Sequence, residues 1–470
     1  MRCLKRATFI IALLGAIVIA GCGGKSNTTS QSDYNCGSGD QPYKPTTHLA
    51  HRSLVTNYYA GNMEVVDATQ DRLTSFSFAV GSQPTYMQLS PDGTLTFANN
   101  TGSNSISSFN NFQESVKATI LLGGWTQSFV TSTSNQFGFA AVYNLSNGNP
   151  PNAPGGIVRF NPTDGSVNTY DIPFPYVRYL AMDTAEKHLL AFTDVEDSAH
   201  WVDLTTADPK TQAPPYYTLT LTDAGGTAVT LSRPVAAFFS ADNSKAYVLS
   251  CGTTCGGSSP ASVTEIDITT IAPPASPSSG QVAIAAKVLN QWQQVNGKQI
   301  GAQIGLIDLS ANKLYVAGST LASTAIDCPF PQLATCTTAT GGGNNVQDGY
   351  FTVIDLTANT ASTPVRIGNG VKRWIQNVNG VYWVASLSCG VESCVSLVKP
   401  TAGTATTLDT ANGDATGISY QPNTGQIFTI EGGQLYIYGQ AGNSVSSQYN
   451  TDIKGQGSDV VYIDASGPCS

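Results

Sequence analysis

Short apolar runs of strand length, each broken by Gly, Asn, Asp or Pro, recur along almost the whole chain. They are plainest in Ser53–Gly93, which opens on Leu54-Val55-Thr56-Asn57 and turns at Tyr59-Ala60-Gly61-Asn62. An alternating run, Met63–Asp67, follows, then a polar connection, a third run Ser75–Val80, and a fourth, Thr85–Ser90, closed by Ser90-Pro91-Asp92-Gly93. The runs are rich in β-branched and aromatic residues, and the breaks carry the residue types that supply the φ values of tight turns. Thr94–Asn135 repeats the pattern.

A unit of roughly 40 to 65 residues built from four short antiparallel strands is a blade of a β-propeller. The opening run of each unit recurs near Leu54–Asn57, Leu95–Asn99, Phe137–Val142, His188–Thr193, Lys245–Ser250, Lys313–Ala317, Val381–Ser386 and Gln426–Ile430, which makes eight. The closing run recurs near Thr85–Ser90, Ser128–Thr133, Arg178–Asp183, Val235–Ser240, Ile304–Leu309, Trp374–Val378, Thr416–Tyr420 and Asp459–Ile463, again eight. The pattern predicts an all-β chain forming a single propeller, with eight four-stranded blades favoured over seven. Because the chain starts on the second strand of a blade and ends on a first, Ser458–Asp464 is expected to pair with Ser53–Asn57 and close the ring. Closure removes the two open edges that would invite pairing with other chains.

Val55-Thr56-Asn57, Val65-Val66-Asp67 and the stretch from Gly81-Ser82-Gln83-Pro84 to Ser90-Pro91-Asp92-Gly93 resemble the YVTN repeat of bacterial surface propellers. The resemblance is confined to the first units; later ones keep the pattern and lose the letters. It implies a bacterial surface or lactonase-like propeller, a group in which seven blades is the commoner count.

The amino terminus changes the picture from fold to location. Met1–Arg6 is basic, Ala7–Ala20 apolar, and Ile19-Ala20-Gly21-Cys22 resembles the lipobox of bacterial lipoproteins. The apolar run is short for a membrane span and has the flanks of a signal peptide. The resemblance implies that residues 1–21 are removed, that Cys22 carries the lipids, and that 22–50 form a lipidated polar tether ahead of a propeller at 51–470. Two or more acyl chains anchor stably where one does not, and Gly23 rather than Asp after the cysteine favours the outer membrane. The expected location is the cell envelope.

Composition fits export. Charged residues make up 11%, against about 25% in ordinary soluble domains. Removing Arg2, Lys5 and Arg6 moves the formal charge from −9 to −12. Nucleic-acid binding wants a basic face instead, so that class is set aside. Of ten cysteines, Cys3 leaves with the signal and Cys22 is acylated. Three pairs of the remainder sit within one loop each: Cys251–Cys255, Cys328–Cys336 and Cys389–Cys394. Cys36 and Cys469 are left to staple the closing blade. Zinc ligation at these cysteines lacks the paired short spacing and nearby His of a metal site, so disulfides are expected and no metal or cofactor is assigned.

Loop lengths single out one face. Turns of the Ser-Pro-Asp-Gly kind stay short throughout, at Ser90–Gly93, Ala241–Ser244, Ser310–Asn312, Val378–Gly380 and Gln421–Gly425. Connections on the opposite rim grow, at Tyr143–Gly156, Cys251–Ser262, Gly318–Gly349, Leu387–Cys394, Asp223–Arg233 and Asn290–Ala302. Long loops stiffened by local bridges suit a binding surface, because pre-ordering lowers the entropy lost on contact. Repeat-equivalent positions at the channel mouth place Gln83, Thr126, Arg178, Arg233, Gln303, Arg373, Asp414 and Asp459 around one opening, with Trp374 beside them. Such a mixed polar ring can hydrogen-bond a small polar ligand. The four histidines show no partner arrangement for general-base or nucleophilic catalysis. Asp194-Val195-Glu196-Asp197 is the densest acid cluster, read as a solvated turn ahead of a weak calcium site. The expected function is a membrane-anchored binding, adhesion or scaffold module, monomeric, whose loop-rich rim takes a protein or glycan. The alternative is a propeller-type enzyme, a lactonase-like hydrolase or a quinone-dependent dehydrogenase, working at the channel.

Overall fold

The computed structural model describes residues 47 and 49–465, except 146–152, 173, 175, 206–213, 272–279, 296, 321–346, 409–411 and 442–443. The signal segment, Cys22, Cys36, Cys328, Cys336, Cys469 and most of Gly318–Gly349 lie outside the described residues. Eight blades follow one another around a central axis. Blade 1 joins Gly457–Asp464 to His51–Asn57, Asn62–Asp67 and Arg72–Ala79. Blades 2 to 8 begin with the innermost strands Pro84–Leu89, Gly124–Thr131, Val177–Met182, Pro234–Phe239, Ile304–Asp308, Val371–Val378 and Ala415–Gln421. All eight opening and eight closing runs read from the sequence fall on strands of the expected position. The closing strand pairs antiparallel with the first, from His51 opposite Asp464 to Asn57 opposite Gly457.

Burial explains why the polar letters of the repeat are misleading. The two middle strands of each blade are sandwiched between neighbouring blades, so Leu95–Asn100 and Ser105–Asn110 are buried at every position rather than at alternate ones. Their polar side chains must then bond one another. Asn100 Nδ2 donates to Ser107 Oγ at 2.9 Å and to Ser105 Oγ at 3.2 Å, and Thr96 Oγ1 donates to Asn111 at 2.6 Å. Alternation returns in the outermost strands, as in Ser115–Leu121 and Gln281–Gln291.

The core is segmented in the same way. Among the described residues, eight hydrophobic clusters occupy the eight junctions between adjacent blades. The largest lies between blades 4 and 5, around Phe192, Trp201, Val248 and Ile266. There the ring departs from simple repetition. The outermost strand of blade 5, Gln281–Gln291, is 11 residues long. Its second half pairs with its own blade, from Ala286 opposite Ile266 to Gln291 opposite Ser262. Its first half runs parallel to blade 4's outermost strand, Tyr216–Thr222, and merges the two blades into one nine-stranded sheet.

The short-turn face is stitched from blade to blade. Asn135 donates to Asp92 at 2.7 Å, Thr133 Oγ1 to Glu186 at 2.6 Å, Asn243 to Thr184 at 2.9 Å, and Asn379 to Tyr420 at 3.2 Å. Both ends of the propeller are on this face, since His51 begins its strand opposite Asp464. Arg52 and Glu114, both fully buried, form an ion pair at 3.0 Å beneath it. Glu114 also accepts from Thr47 N at 2.6 Å, and Arg52 donates to Leu49 O at 2.6 Å. The segment leading into the ring is therefore fastened under blades 1 and 2.

Candidate site at the channel mouth

The strands run further than loop lengths alone indicate. Gly138–Leu145 and Ala153–Phe160 absorb both ends of Tyr143–Gly156, and Asp223–Arg233 contains a two-residue strand, Ala228–Val229. Cys251 with Cys255 and Cys389 with Cys394 are disulfide-bonded, their Cα atoms 5.7 and 5.5 Å apart. Both bridges lie on the face opposite the short turns.

Two backbone devices shape the mouth of the channel. Seven of the eight innermost strands carry a β-bulge at the same register, at Ser458, Thr85, Gln127, Arg178, Val235, Arg373 and Thr416. A bulge adds twist and re-aims the side chains beside it. Directly before the innermost strand, five blades have a residue in the left-handed region: Gln83 (φ 52°), Gly123 (φ 74°), Tyr176 (φ 58°), Arg233 (φ 50°) and Gly370 (φ 87°). Glycine takes this conformation freely, whereas a side chain costs roughly 1–2 kcal/mol there. Gln83, Tyr176 and Arg233 are thus displayed at the mouth at the expense of local strain, and strain of this kind gathers at functional sites.

The ring read from the sequence divides into parts. Arg178, Arg233 and Gln303 line one depression together with Tyr179, Asp194 and Cys255. Arg178 donates through Nη1 to Asp194 at 3.0 Å and through Nε to Gln127 at 2.6 Å. Arg233 is held twice: its backbone N–H donates to Asp197 at 2.9 Å, and its Nε donates to Cys255 O at 3.1 Å. Asp197 also accepts from Ser258 N at 3.0 Å, so one carboxylate ties blade 4 to the bridged loop of blade 5. Gln303 Oε1 accepts from Lys372 N at 2.9 Å and links blade 6 to blade 7.

The other ring members stand elsewhere. Asp459 is buried, accepts from Met87 N at 2.7 Å and fastens blade 1 to blade 2. Asp414, exposed, accepts from Ser388 N at 2.7 Å beside the Cys389–Cys394 loop. Gln83 supports the next turn, its carbonyl accepting from Thr101 N at 3.0 Å. Thr126 is buried and donates to Ser128 O at 3.1 Å. Trp374 donates to Thr416 O at 2.6 Å and packs both against the cluster between blades 7 and 8 and against that between blades 2 and 3. It therefore reaches across the channel, with the Arg373 guanidinium 5.9 Å from its ring centre. Lys372, next but one to Trp374 in the sequence, is buried; its amine donates to Gly368 O, Asn369 O and Ser386 Oγ at 2.5, 2.9 and 2.9 Å.

Trp125, Tyr143 and Tyr176 form a chain of rings, with centres 5.6 and 5.2 Å apart. Burial raises the Tyr143 phenol pKa above its ordinary value; Asp194 adds to this, Arg178 opposes it, Tyr176 adds and Arg233 opposes. Tyr176 adjoins the arginine depression through its backbone, its carbonyl accepting from Asp194 N at 3.1 Å.

The acid cluster is engaged throughout. Asp194 pairs with Arg178, Glu196 lies 3.1 Å from His200, and Asp197 is held as described. Among the described residues, no group of three or more His, Cys, Asp or Glu comes together as a metal site, and no helix is long and apolar enough to cross a membrane.

By sequence, no family profile and no curated protein matches the chain. By structure, it is similar to the dihydro-haem d1 dehydrogenase NirN in complex with DHE, at 11% identity and TM-score 0.57, covering 92% of this chain and 80% of that one. It is also similar to the periplasmic gluconolactonase PpgL of Pseudomonas aeruginosa, at 12% identity and TM-score 0.48, over 88% and 99% of the two chains. At these identities the likeness is one of fold: the chain is a β-propeller.

Proposed function

We propose that the chain is an exported propeller, lipid-anchored through Cys22, that binds an envelope partner, protein or glycan, with its loop-rich face. The observation that carries this reading is the opposition of the two faces. The ring is entered from the short-turn face at His51, so a tether at the amino terminus leaves the loop-rich face pointing away from the membrane. Of the seven large apolar side chains that stand exposed among the described residues, Tyr59, Leu121, Tyr176, Val195 and Val391 are on that outward face. Val391 is 96% exposed at the tip of the bridged Cys389–Cys394 loop. These side chains stand on several blades of one face and are available there to a partner that spans the rim. The enzymatic alternative draws on the dehydrogenase and the lactonase, whose likeness is of fold.

A binding screen of the protein against glycans, envelope polymers and envelope proteins tests the reading. Val391→Asp combined with Tyr59→Ser should abolish binding to the partner found. Asp92→Ala on the opposite face should leave binding unchanged, while costing about 1–2 kcal/mol through its lost hydrogen bonds to Ser90, Thr94 and Asn135. The opposite pattern would reject the assignment of the face.

A further inference from the structure

We infer that the depression between Arg178 and Arg233 is a binding site for a small ring-bearing carboxylate, its carboxylate meeting the guanidinium groups and its ring lying against Tyr143 and Tyr176. The inference rests on the reading of the loop-rich face as the binding face and names the chemistry of one site within it. Three independent observations converge. The first is charge: two guanidinium groups and a single carboxylate, Asp194, line the depression in a chain whose formal charge is −9. Arg178 is matched by Asp194, and among the described residues the terminal nitrogens of Arg233 have no hydrogen-bond partner, since its bonds are made by Nε and by the backbone. One uncompensated positive charge suits a monoanion, and the planar fork of an arginine suits a carboxylate.

The second observation is construction. Arg233 is fixed by a disulfide-bridged loop through Cys255 O and by Asp197, so its guanidinium is ordered before a ligand arrives. Pre-ordering of this kind spares entropy on binding. The third is strain. Tyr176 and Arg233 both sit in the left-handed region at positions where Gly123 and Gly370 relieve the equivalent turns of other blades. Retaining a tyrosine and an arginine there favours contact over stability. Tyr176 stands two residues before Arg178 with its carbonyl accepting from Asp194 N at 3.1 Å, and its ring, 5.2 Å from that of Tyr143, then offers a face for a ring, as aromatic side chains do in binding sites.

Calorimetric titration of the full-length protein at fixed ionic strength and pH 7 tests this with benzoate, galacturonate, their methyl esters and inorganic phosphate. At least one acid should bind, its neutral ester at least tenfold more weakly, and phosphate more weakly than the acid; the two acids distinguish an aromatic from a sugar ring. Arg233→Gly and Tyr176→Gly should each weaken the acid at least tenfold while the melting temperature holds or rises. Asp194→Asn should tighten it severalfold, a direction that a purely structural ion pair does not predict. Esters that bind as well as acids, an unchanged Arg233→Gly, or no binding of either acid would overturn the inference. The last result leaves the face reading standing if the partner found by screening still depends on Val391 and Tyr59, and the two failures are thereby separated.

Discussion

Lys372 shows how far a single side chain departs from what its letter suggests. In the sequence it is a cation beside Arg373 and Trp374; in the fold it is 3% exposed and its amine meets three oxygens. Burial pushes its pKa down to about 7, against the pull of Glu392 and with a small addition from Arg366. An unfolded lysine titrates near 10.4, so between about pH 7 and pH 10 the unfolded chain binds the extra proton and stability rises with pH. Below about 7 both states are charged and the cost of burial is complete. Lys372→Met should flatten this rise, as read by urea unfolding at pH 7 and pH 9; an unchanged slope would show that the amine is charged in the fold. The Arg52–Glu114 pair makes the opposite case. Both side chains are fully buried, and Glu114→Gln strands a buried cation, so a loss of about 3–5 kcal/mol is expected in the same unfolding measurement. No local pattern announces that pair, because its members lie in different blades and belong to no motif.

At the level of the element, strand positions were legible and their pairing was not. Period and turn letters placed His188–Thr193 and Lys245–Ser250 to the residue, because Gly, Asn, Asp and Pro punctuate each hairpin. The bulges at Arg178 and Arg373 carry no letter of their own, since a bulge is a change of pairing rather than of composition. The switch of Gln281–Gln291 from its own blade to blade 4 is hidden for the same reason: its apolar alternation continues through the change of partner. The bridged loop Cys389–Cys394 was read from spacing alone and is bonded. Replacing both cysteines with Ser should lower stability by about 2 kcal/mol on the loop-entropy argument. The ring should otherwise be unchanged, which circular dichroism and denaturant unfolding together report.

On the scale of the whole molecule, the sequence carried the ring and its closure because eight units left one strand at each end to pair. It carried the candidate site only in part: the repeat brought Arg178, Arg233 and Gln303 to one mouth, but could not show that Asp459 is a buried fastening or that Trp374 spans the channel. Those roles depend on which way a twisted strand turns its side chains. Non-reducing peptide mapping is expected to return Cys36 joined to Cys469 and Cys328 to Cys336, alongside the two bridges seen. Free thiols in the purified protein would contradict the staple across the closing blade.

The division of labour between the two faces is the central claim, and hydrogen exchange of the full-length protein, with and without the partner found by screening, tests it most directly. Protection should appear in the connections that carry Tyr59, Val195 and Val391 and around Tyr176 and Arg233, while the turns Ser90–Gly93 and Gln421–Gly425 exchange as before. Protection confined to those short turns, with the loop-rich face unchanged, would contradict the account.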